Sequence, residues 1–311
     1  NTIQNWTSAG LFVNAENDGC SISEPTVSSN TFIDGSNSTM AVQLYDNGWW
    51  SPSGNVITGQ GIGIGVSGYI SESRTWSNIN NLPYILYNDV YVQDPAILTV
   101  SAGVVVLAKY TNGYHSGLEI RGTIHADGVV FTGDGDPSHD IGGSIDNTGE
   151  WDGIRFGDGG GGWIKNSTIR YADYGIYCYA DNTEQITPAL TGNTIDQCTY
   201  GIYLSANGND LVNKATVSPL ISGNTIQNWT SAGLFVNAEN DGCSIAFPQV
   251  HNNRFEDGST STMAISFNDD GWCQPWGNIF VGDSLGIGVS GYLSEDRSWN
   301  HIGGLPYLLN R

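Results

Sequence analysis

Residues 219–238 read PLISGNTIQNWTSAGLFVNA, and this stretch carries the pattern that decides the fold. A proline and an alternating apolar segment lead into the turn-forming letters SGN, and two segments, TIQ and GLFVNA, follow. Alternation of apolar and polar residues over a few positions is typical of a half-buried β-strand, and Gly and Asn are common where strands end. The stretch therefore predicts short strands joined by tight turns.

The motif P-x-[LIV]-x-[GSN]-N recurs along the chain, with shorter relatives such as WIKN, PSGN and PWGN. Its asparagines, which we call the predicted ladder, are Asn1, Asn30, Asn55, Asn166, Asn193, Asn224, Asn253 and Asn278. From residue 166 onwards they are 27, 31, 29 and 25 residues apart. A period of this length with two or three short strands corresponds to one coil of a solenoid, in which stacked coils share a core.

A longer repeat contains the shorter one. Residues 1–88 align without gaps on residues 224–311, at an offset of 223 residues, and the first 22 letters of the two copies are identical. We interpret residues 1–311 as one continuous domain that holds one repeat and part of the next. Both ends fall inside the repeat, so we expect further repeats in the same chain, or copies of the protein stacked end to end, to cover them.

These coils resemble the right-handed parallel β-helix of pectate-lyase-like proteins. The resemblance implies an all-β fold in which the ladder asparagines stack at one corner of successive coils. With strands about 4.8 Å apart, a single solenoid of about twelve coils would be roughly 55–60 Å long. The segments LPYILYNDVYV, AILTVSAGVVVLA and GEWDGIRFGD are also similar to secreted prokaryotic cell-surface β-helix modules, which implies an extracellular or cell-surface location.

Composition excludes some partners. The net charge is −21, from 31 acidic and 10 basic residues, so the protein would repel nucleic acid, whose binding depends on Lys and Arg. No apolar run reaches the ~18 residues of a membrane helix, and we predict no membrane insertion. The five cysteines show no metal-binding spacing, which leaves single buried thiols or a local disulfide as the alternatives.

One Gly-rich segment, FTGDGDPSHDIGGSIDNTGEWDG, is a candidate calcium loop. Its acidic residues are Asp134, Asp136, Asp140 and Asp146, and Ca²⁺ takes six to eight oxygen ligands from flexible loops of this kind. The alternative is a solvated acidic loop without metal. Calcium is the one cofactor that the sequence suggests.

Catalytic signals are incomplete. The pair Asp269 and Asp270 could supply an acid and a base for glycoside hydrolysis, but the equivalent positions of the first copy are Asp46 and Asn47. The GHG and RIK motifs of polygalacturonases are absent, and so are GxSxG, HExxH and P-loop motifs. We therefore predict no catalytic residues and interpret the pair as a turn.

Aromatic residues suggest carbohydrate contacts. The candidates for a sugar-stacking platform are Trp49, Trp50, Trp272, Trp276 and the tyrosines of YGIYCYA, and capping of the core is the alternative. Asn5, Asn37, Asn166 and Asn228 stand in N-x-[ST] sequons, but as a ladder residue Asn166 is expected to be buried.

The sequence as a whole favours a structural or adhesive module of a long repetitive extracellular protein that forms a fibre, sheath or stalk. Cell-surface polysaccharide is the expected external partner. The alternative is a β-helix that binds polysaccharide or degrades it as a lyase or hydrolase.

Overall fold

The computed structural model describes residues 1–16, 23–33, 39–59, 61–111, 114–139, 149–239, 243–256, 258, 260–294 and 296–309. Throughout this part of the chain the regular structure consists of β-strands, without helix. Almost all strand pairs are parallel, as the resemblance to the β-helix implied. The all-β prediction is thus confirmed.

The strands follow one another at short intervals. The first twelve are β1 (Thr2–Gln4), β2 (Ala9–Ala15), β3 (Thr26–Ser28), β4 (Thr31–Ile33), β5 (Met40–Asp46), β6 (Ser51–Ser53), β7 (Val56–Thr58), β8 (Gly63–Ile70), β9 (Arg74–Trp76), β10 (Tyr84–Val92), β11 (Ile97–Val100) and β12 (Val105–Ala108). The next twelve are β13 (Tyr110–Thr111), β14 (Tyr114–His115), β15 (Gly117–Ile120), β16 (Thr123–Asp127), β17 (Val130–Gly133), β18 (Trp151–Phe156), β19 (Gly161–Lys165), β20 (Thr168–Arg170), β21 (Ala172–Asn182), β22 (Gln185–Ile186), β23 (Ala189–Thr191) and β24 (Thr194–Asp196). The last are β25 (Tyr200–Gly208), β26 (Ala215–Val217), β27 (Leu220–Ser222), β28 (Thr225–Gln227), β29 (Ala232–Glu239), β30 (Ser244–Ala246), β31 (Gln249–His251), β32 (Arg254–Glu256), β33 (Met263–Asp269), β34 (Ile279–Val281), β35 (Gly286–Ser290) and β36 (Tyr307–Leu309).

Three parallel sheets run along the chain. The first joins β12, β17, β20, β24, β28, β32 and β34, and β1, β4 and β7 form its counterpart in the first copy. The second joins β2, β5, β8, β10, β15, β18, β21, β25, β29, β33, β35 and β36. The third joins β9, β11, β16, β19, β23, β27 and β31. Each strand therefore pairs with the equivalent strand one coil away.

The core consists of apolar side chains stacked coil upon coil. In the first sheet Ile169, Ile195, Ile226 and Phe255 lie opposite one another and are fully buried. In the second sheet the equivalent stack is Ile154, Ile176, Ile202, Leu234, Ile265 and Ile287. Each fully buried aliphatic side chain contributes about 1.5–3 kcal/mol, and no coil could gain this burial alone.

The two copies use the same register. In the first copy Leu11 pairs with Val42, and Val42 pairs with Ile64. The equivalent positions of the second copy, Leu234, Ile265 and Ile287, pair in the same order. The sequence repeat is therefore also a repeat of strand pairing.

One corner of each coil is a sharp turn with a residue in the left-handed backbone conformation. Gly192 and Gly223 have φ of 68°, and Asn252 has φ of 56°. Gly, and to a lesser extent Asn, adopts this conformation at low cost, which explains the GN and NN dipeptides of the motif.

The residue that follows this turn residue forms a hydrogen-bonded ladder. Asn224 Oδ1 accepts hydrogen bonds from the backbone N–H and the Nδ2 of Asn193, at 2.9 and 3.0 Å. Asn224 in turn donates to Asn253 Oδ1 through the same two groups, at 2.9 and 3.0 Å, and through Nδ2 to the Leu190 carbonyl at 2.9 Å. The ladder thus satisfies backbone groups that would otherwise be buried without partners.

The ladder extends to Asn278 in the second copy and includes Asn1, Asn30 and Asn55 in the first. Asn278 Oδ1 accepts from Asn253, at 2.8 Å from its backbone nitrogen, and Asn55 Oδ1 accepts from the backbone of Asn30 at 3.0 Å. Asn1 reaches Asn30 Oδ1 through Nδ2 at 2.9 Å, on the exposed surface.

The prediction for Asn166 is wrong by one position. Asn166 occupies the left-handed turn position, with φ of 48°, and its exposed side chain donates to Asp127 Oδ1 at 2.8 Å. Ser167 takes the ladder position instead: its N–H donates to Asn193 Oδ1 at 3.0 Å and its Oγ accepts from the Val129 N–H at 3.1 Å. The correction also applies to the expected burial of this sequon asparagine.

Two coils of the middle segment replace the ladder amide by a buried valine. Val104 and Val129 precede β12 and β17 just as Ser167 precedes β20, and they are 2% and 1% exposed. The polar ladder is therefore interrupted at Val104 and Val129, where buried apolar side chains take its place.

The chain between the first and second sheets is longer in two of the middle coils. One such segment carries the antiparallel hairpin of β13 and β14, where Tyr110 pairs with His115. The next coil inserts residues 134–150 between β17 and β18.

Candidate functional site

Side chains on the outer face of the second sheet line up across seven strands. In β21 the apolar Ile176 and Cys178 point into the core, so the intervening Tyr177 points outward. The parallel register aligns it with residues of the neighbouring coils, and we name the resulting row the tyrosine stripe: Tyr69, Tyr91, Glu119, Arg155, Tyr177, Tyr203 and Phe235. At ~4.8 Å per strand the stripe is about 29 Å long.

The rings of the stripe hold one another in place. Tyr69 and Tyr91 stack with centroids 4.9 Å apart, and Tyr203 stacks on Phe235 at 4.6 Å. Tyr177 meets Tyr203 edge to face at 5.1 Å. A second row beside the stripe contains Tyr174 and Tyr200, stacked at 5.5 Å. Aromatic pairs of this geometry are each worth about 0.5–1.5 kcal/mol beyond burial, so the surface is preorganised.

The arginines of this face are already engaged. Arg121 lies 5.1 Å from the Tyr91 ring centroid and pairs with Glu119 at 2.7 Å and with Asp158 at 3.1 Å. Arg155 lies over the Tyr177 ring at 5.4 Å and reaches Glu119 at 3.9 Å. Their charge is thus largely neutralised by neighbouring carboxylates.

A cleft opens at the head of the stripe. One depression of about 250 Å³ is lined by residues that include Tyr45, Ser67, Tyr69, Asp89, Tyr91 and His115. A second, of about 180 Å³, is lined by residues that include Asp89, Tyr91, Glu119, Asp152 and Arg155. Because both are lined by Asp89 and Tyr91, we treat them as one feature and name it the tyrosine cleft. The hairpin of β13 and β14 contributes Tyr114 and His115 to its wall.

Two carboxylates converge within the cleft. Asp89 accepts the Gly117 N–H at 2.9 Å and the Tyr91 hydroxyl at 3.1 Å. A Cβ atom at Gly117 would lie 3.1 Å from the Asp152 Cβ and 3.8 Å from Asp89 Oδ1, so glycine leaves room for both side chains. Desolvation and then the Asp89 charge raise the pKa of Asp152, and desolvation and Asp89 raise the pKa of Tyr91 to about 12.

A buried hydroxyl in the wall of the cleft lacks a partner. Ser67 is 2% exposed, and its Oγ has no hydrogen bond within the described part of the chain. The equivalent of Ser67 in the second copy is Ser290, which donates to Asn268 Oδ1 at 2.8 Å. Tyr45 stands where the second copy has Asn268, so the first copy loses the internal acceptor.

The predicted acidic pair Asp269 and Asp270 serves the backbone of the next coil. Asp269 Oδ1 accepts the Tyr292 N–H at 2.9 Å, and Asp270 accepts both the N–H and the hydroxyl of Ser294. In the first copy the neutral Asn47 accepts the equivalent Ser71 N–H at 2.9 Å. An amide performs the same task, so this position does not require a carboxylate.

The proposed calcium residues are only partly within the described chain, because Asp140 and Asp146 lie outside it. Asp134 is buried, and Asp136 is fully buried with its oxygens occupied by protein groups. Asp136 Oδ2 lies 2.6 Å from Arg170 and 3.0 Å from the Thr132 hydroxyl, while Oδ1 accepts the Ser138 N–H at 2.9 Å. No cluster of three or more metal-ligating side chains is found among the described residues. Calcium binding stays a prediction, but the geometry removes Asp136 from its ligand set.

The tryptophans do not form the expected platform together. Trp50 is fully buried and Trp272 is 7% exposed, so both belong to the core, and Trp49 packs against it. Trp276 alone of these four is exposed, stacked on His251 at 4.5 Å. The tyrosines of YGIYCYA, by contrast, do lie on the outer face. Among the described cysteines, Cys178, Cys198, Cys243 and Cys273 are free thiols.

Comparison with known proteins places this fold. The family model described as "Right handed beta helix region" matches residues 106–295, more than half of the chain, and the chain belongs to this family. A comparison with curated proteins found no significant match. A solved structure of a TibC-catalysed, hyper-glycosylated TibA fragment aligns with 100% of this chain and 95% of its own, at 10% identity and a TM-score of 0.19. A TM-score this low carries no argument. Within the described residues no helix is long or apolar enough to cross a membrane.

Proposed function

We propose that this chain is an adhesive module of a long, repetitive extracellular protein, and that its tyrosine stripe binds polysaccharide chains. In this proposal one right-handed solenoid of about twelve coils acts as a stiff carrier for the stripe. The twelve successive strands of the second sheet described above support the coil number, and the 223-residue repeat supports a longer array. The stripe is the observation that carries the proposal.

The shape and chemistry of the stripe suit a linear glycan. Aromatic rings can cover the apolar faces of pyranose units, while Glu119, Asp89 and the tyrosine hydroxyls offer hydrogen-bonding groups beside them. An open, elongated surface about 29 Å long accommodates an extended polymer better than a small enclosed ligand. Rigid aromatic residues also lose little conformational entropy on binding.

Binding without turnover is part of the proposal. The carboxylates of Asp269 and Asp270 accept hydrogen bonds from the backbone of the next coil. In this proposal the pair therefore has a structural role and not a catalytic one. Carbohydrate degradation would need an acid and a base placed on either side of a bound glycosidic bond.

Affinity electrophoresis and calorimetry with a panel of soluble polysaccharides test the proposal. Tyr69→Ala and Tyr177→Ala should each weaken binding about tenfold, as expected for aromatic anchors at a binding surface. Tyr292→Ala is the matched control, because Tyr292 is the second-copy equivalent of Tyr69 and lies 84% exposed outside the stripe. Equal affinity of all three variants would contradict binding at the stripe, and steady release of oligosaccharides would show that the protein is an enzyme.

A further inference from the structure

We propose that the tyrosine cleft binds an amino-sugar unit that carries a free ammonium group, at the carboxylates of Asp89 and Asp152. The inference rests on the proposed function and specifies the chemical class of the glycan. It distinguishes a basic polymer, such as one of glucosamine units, from an N-acetylated, neutral or uronate polymer.

Charge complementarity supports a cationic ligand. The acidic side chains that line the cleft are Asp89, Glu119 and Asp152. Glu119 is paired with Arg121 and lies near Arg155, whereas Asp89 and Asp152 have no arginine or lysine partner among the described residues. The Arg155 guanidinium lies 3.9 Å from Glu119 and 5.4 Å from the Tyr177 ring centroid, so its charge is already engaged. With a net charge of −21 on the chain, a uronate would meet repulsion both locally and at a distance.

The carboxylate of Asp152 gains most from a cation. It lies next to Asp89 across Gly117, and the raised pKa of Asp152 reflects desolvation and the repulsion between the two charges. His115 and Arg155 oppose this shift, and Asp173 adds to it. An ammonium group between Asp89 and Asp152 would relieve the repulsion and donate charge-assisted hydrogen bonds to the two carboxylates in place of water.

The orphan hydroxyl of Ser67 supplies an independent sign of a ligand. A polar group this deeply buried is normally hydrogen-bonded, and its second-copy equivalent Ser290 is. In the first copy Tyr45 replaces the amide partner and leaves the Ser67 Oγ in the wall of the cleft. The Oγ itself is inaccessible as the side chains stand, so a ligand hydroxyl completes this hydrogen bond only when the residues over it move aside.

The stacked rings of Tyr69 and Tyr91 complete the arrangement. They lie beside Ser67 and Asp89 in the lining of the same depression and give a pyranose ring an apolar surface. An ammonium group close to such rings also gains from the negative potential of their faces. The volume of about 250 Å³ suits one or a few sugar units and not a large enclosed ligand.

Calorimetric titration with two matched oligosaccharides tests the inference: a glucosamine hexamer and its fully N-acetylated form. At pH 6 and low salt we expect the amine form to bind at least tenfold more tightly and to weaken as salt rises. Asp152→Asn should remove this preference and leave the affinity for the N-acetylated form unchanged. Ser67→Ala should weaken both forms severalfold, whereas Ser290→Ala should change neither.

Controls separate a specific site from general attraction between opposite charges. Asp283→Asn removes one negative charge in the turn between β34 and β35 and should not alter affinity for the amine form. If this variant weakens binding as much as Asp152→Asn does, or if hexalysine binds as tightly as the amine hexamer, the inference is overturned. If both hexamers bind equally well and Tyr177→Ala weakens both, the amine inference fails while the proposed function stands. If neither hexamer nor any other polysaccharide binds, both fail.

Discussion

Asp136 and Arg170 form a buried ion pair, in which Oδ2 of the aspartate lies 2.6 Å from Nη2 of the arginine. The Asp136 side chain is completely inaccessible, and the Arg170 side chain is 19% exposed. The pair joins the start of the inserted segment 134–150 to β20 of the following coil. It fixes Asp136, just after β17, to the strand of the next coil.

Breaking this pair should destabilise the fold strongly. Arg170→Met leaves the Asp136 charge buried without its cation, and loss of one partner of a buried pair costs about 3–5 kcal/mol. We expect a clear fall in the midpoint of denaturant unfolding. Arg254→Met is the control, because Arg254 pairs with Glu256 on the exposed surface and should change the midpoint little. Similar midpoints for the two variants would contradict the importance of the buried pair.

Chelation of divalent cations tests the calcium prediction, and we expect an unchanged melting temperature unless residues of the loop other than Asp136 bind the ion. Asp136 already directs its oxygens at Arg170, Thr132 and Ser138, so it has none to offer a calcium ion. A bound metal would stabilise the native state according to its concentration and dissociation constant. A fall in melting temperature with excess chelator, restored by Ca²⁺, would show that the loop binds calcium without Asp136.

Removal of a central ladder amide should be costly. Asn224→Ala deletes the acceptor of the Asn193 N–H and the donor to the Leu190 carbonyl, both in a buried setting. Unsatisfied buried groups cost about 1–3 kcal/mol each, so we expect a loss of about 2–5 kcal/mol in unfolding experiments. Asn224→Ser should recover part of it, since Ser167 shows that a hydroxyl can accept the equivalent N–H. Asn1→Ala, at the exposed end of the stack, should cost much less; equal losses at both positions would argue against the ladder as a source of stability.

The pH dependence of stability should reveal the raised pKa of Asp152. A carboxyl whose pKa is higher in the folded state favours folding while it is protonated, and this contribution is lost as pH rises through the folded pKa. Asp152→Asn should therefore raise the melting temperature at pH 7, and the gain should shrink as pH falls towards the unfolded value near 3.8. A gain independent of pH would point to a cause other than this ionisation.

The sequence correctly predicted those ladder asparagines whose positions follow from the coil period. Asn193, Asn224 and Asn253 fall at the coil period, and the structure brings them into direct hydrogen-bonding contact. Asn166 was misplaced because WIKN resembles the motif, whereas the register of β20 with β24 selects Ser167. The local sequence of a turn does not show which of its residues contacts the next coil.

The tyrosine stripe could not be predicted from the sequence, for a related reason. Its members come from seven coils of unequal length: Tyr69 and Tyr91 are 22 residues apart, but Glu119 and Arg155 are 36 apart. Only the strand pairing shows that insertions separate residues that are neighbours in space. YGIYCYA did indicate part of the surface, because alternation in a strand places its tyrosines on one side.

The valines that interrupt the ladder have a mechanical consequence. Hydrogen bonds of the asparagine amides clamp neighbouring coils at one corner, and Ser167 Oγ still accepts the Val129 N–H. Between Val104 and Val129, however, the same corner is held by packing and backbone pairing. Stability in a solenoid is close to a sum over adjacent coils, so under tension the weakest junction opens first. In the proposed tandem array this seam would return every 223 residues, as evenly spaced points of yield between stretches clamped by asparagine.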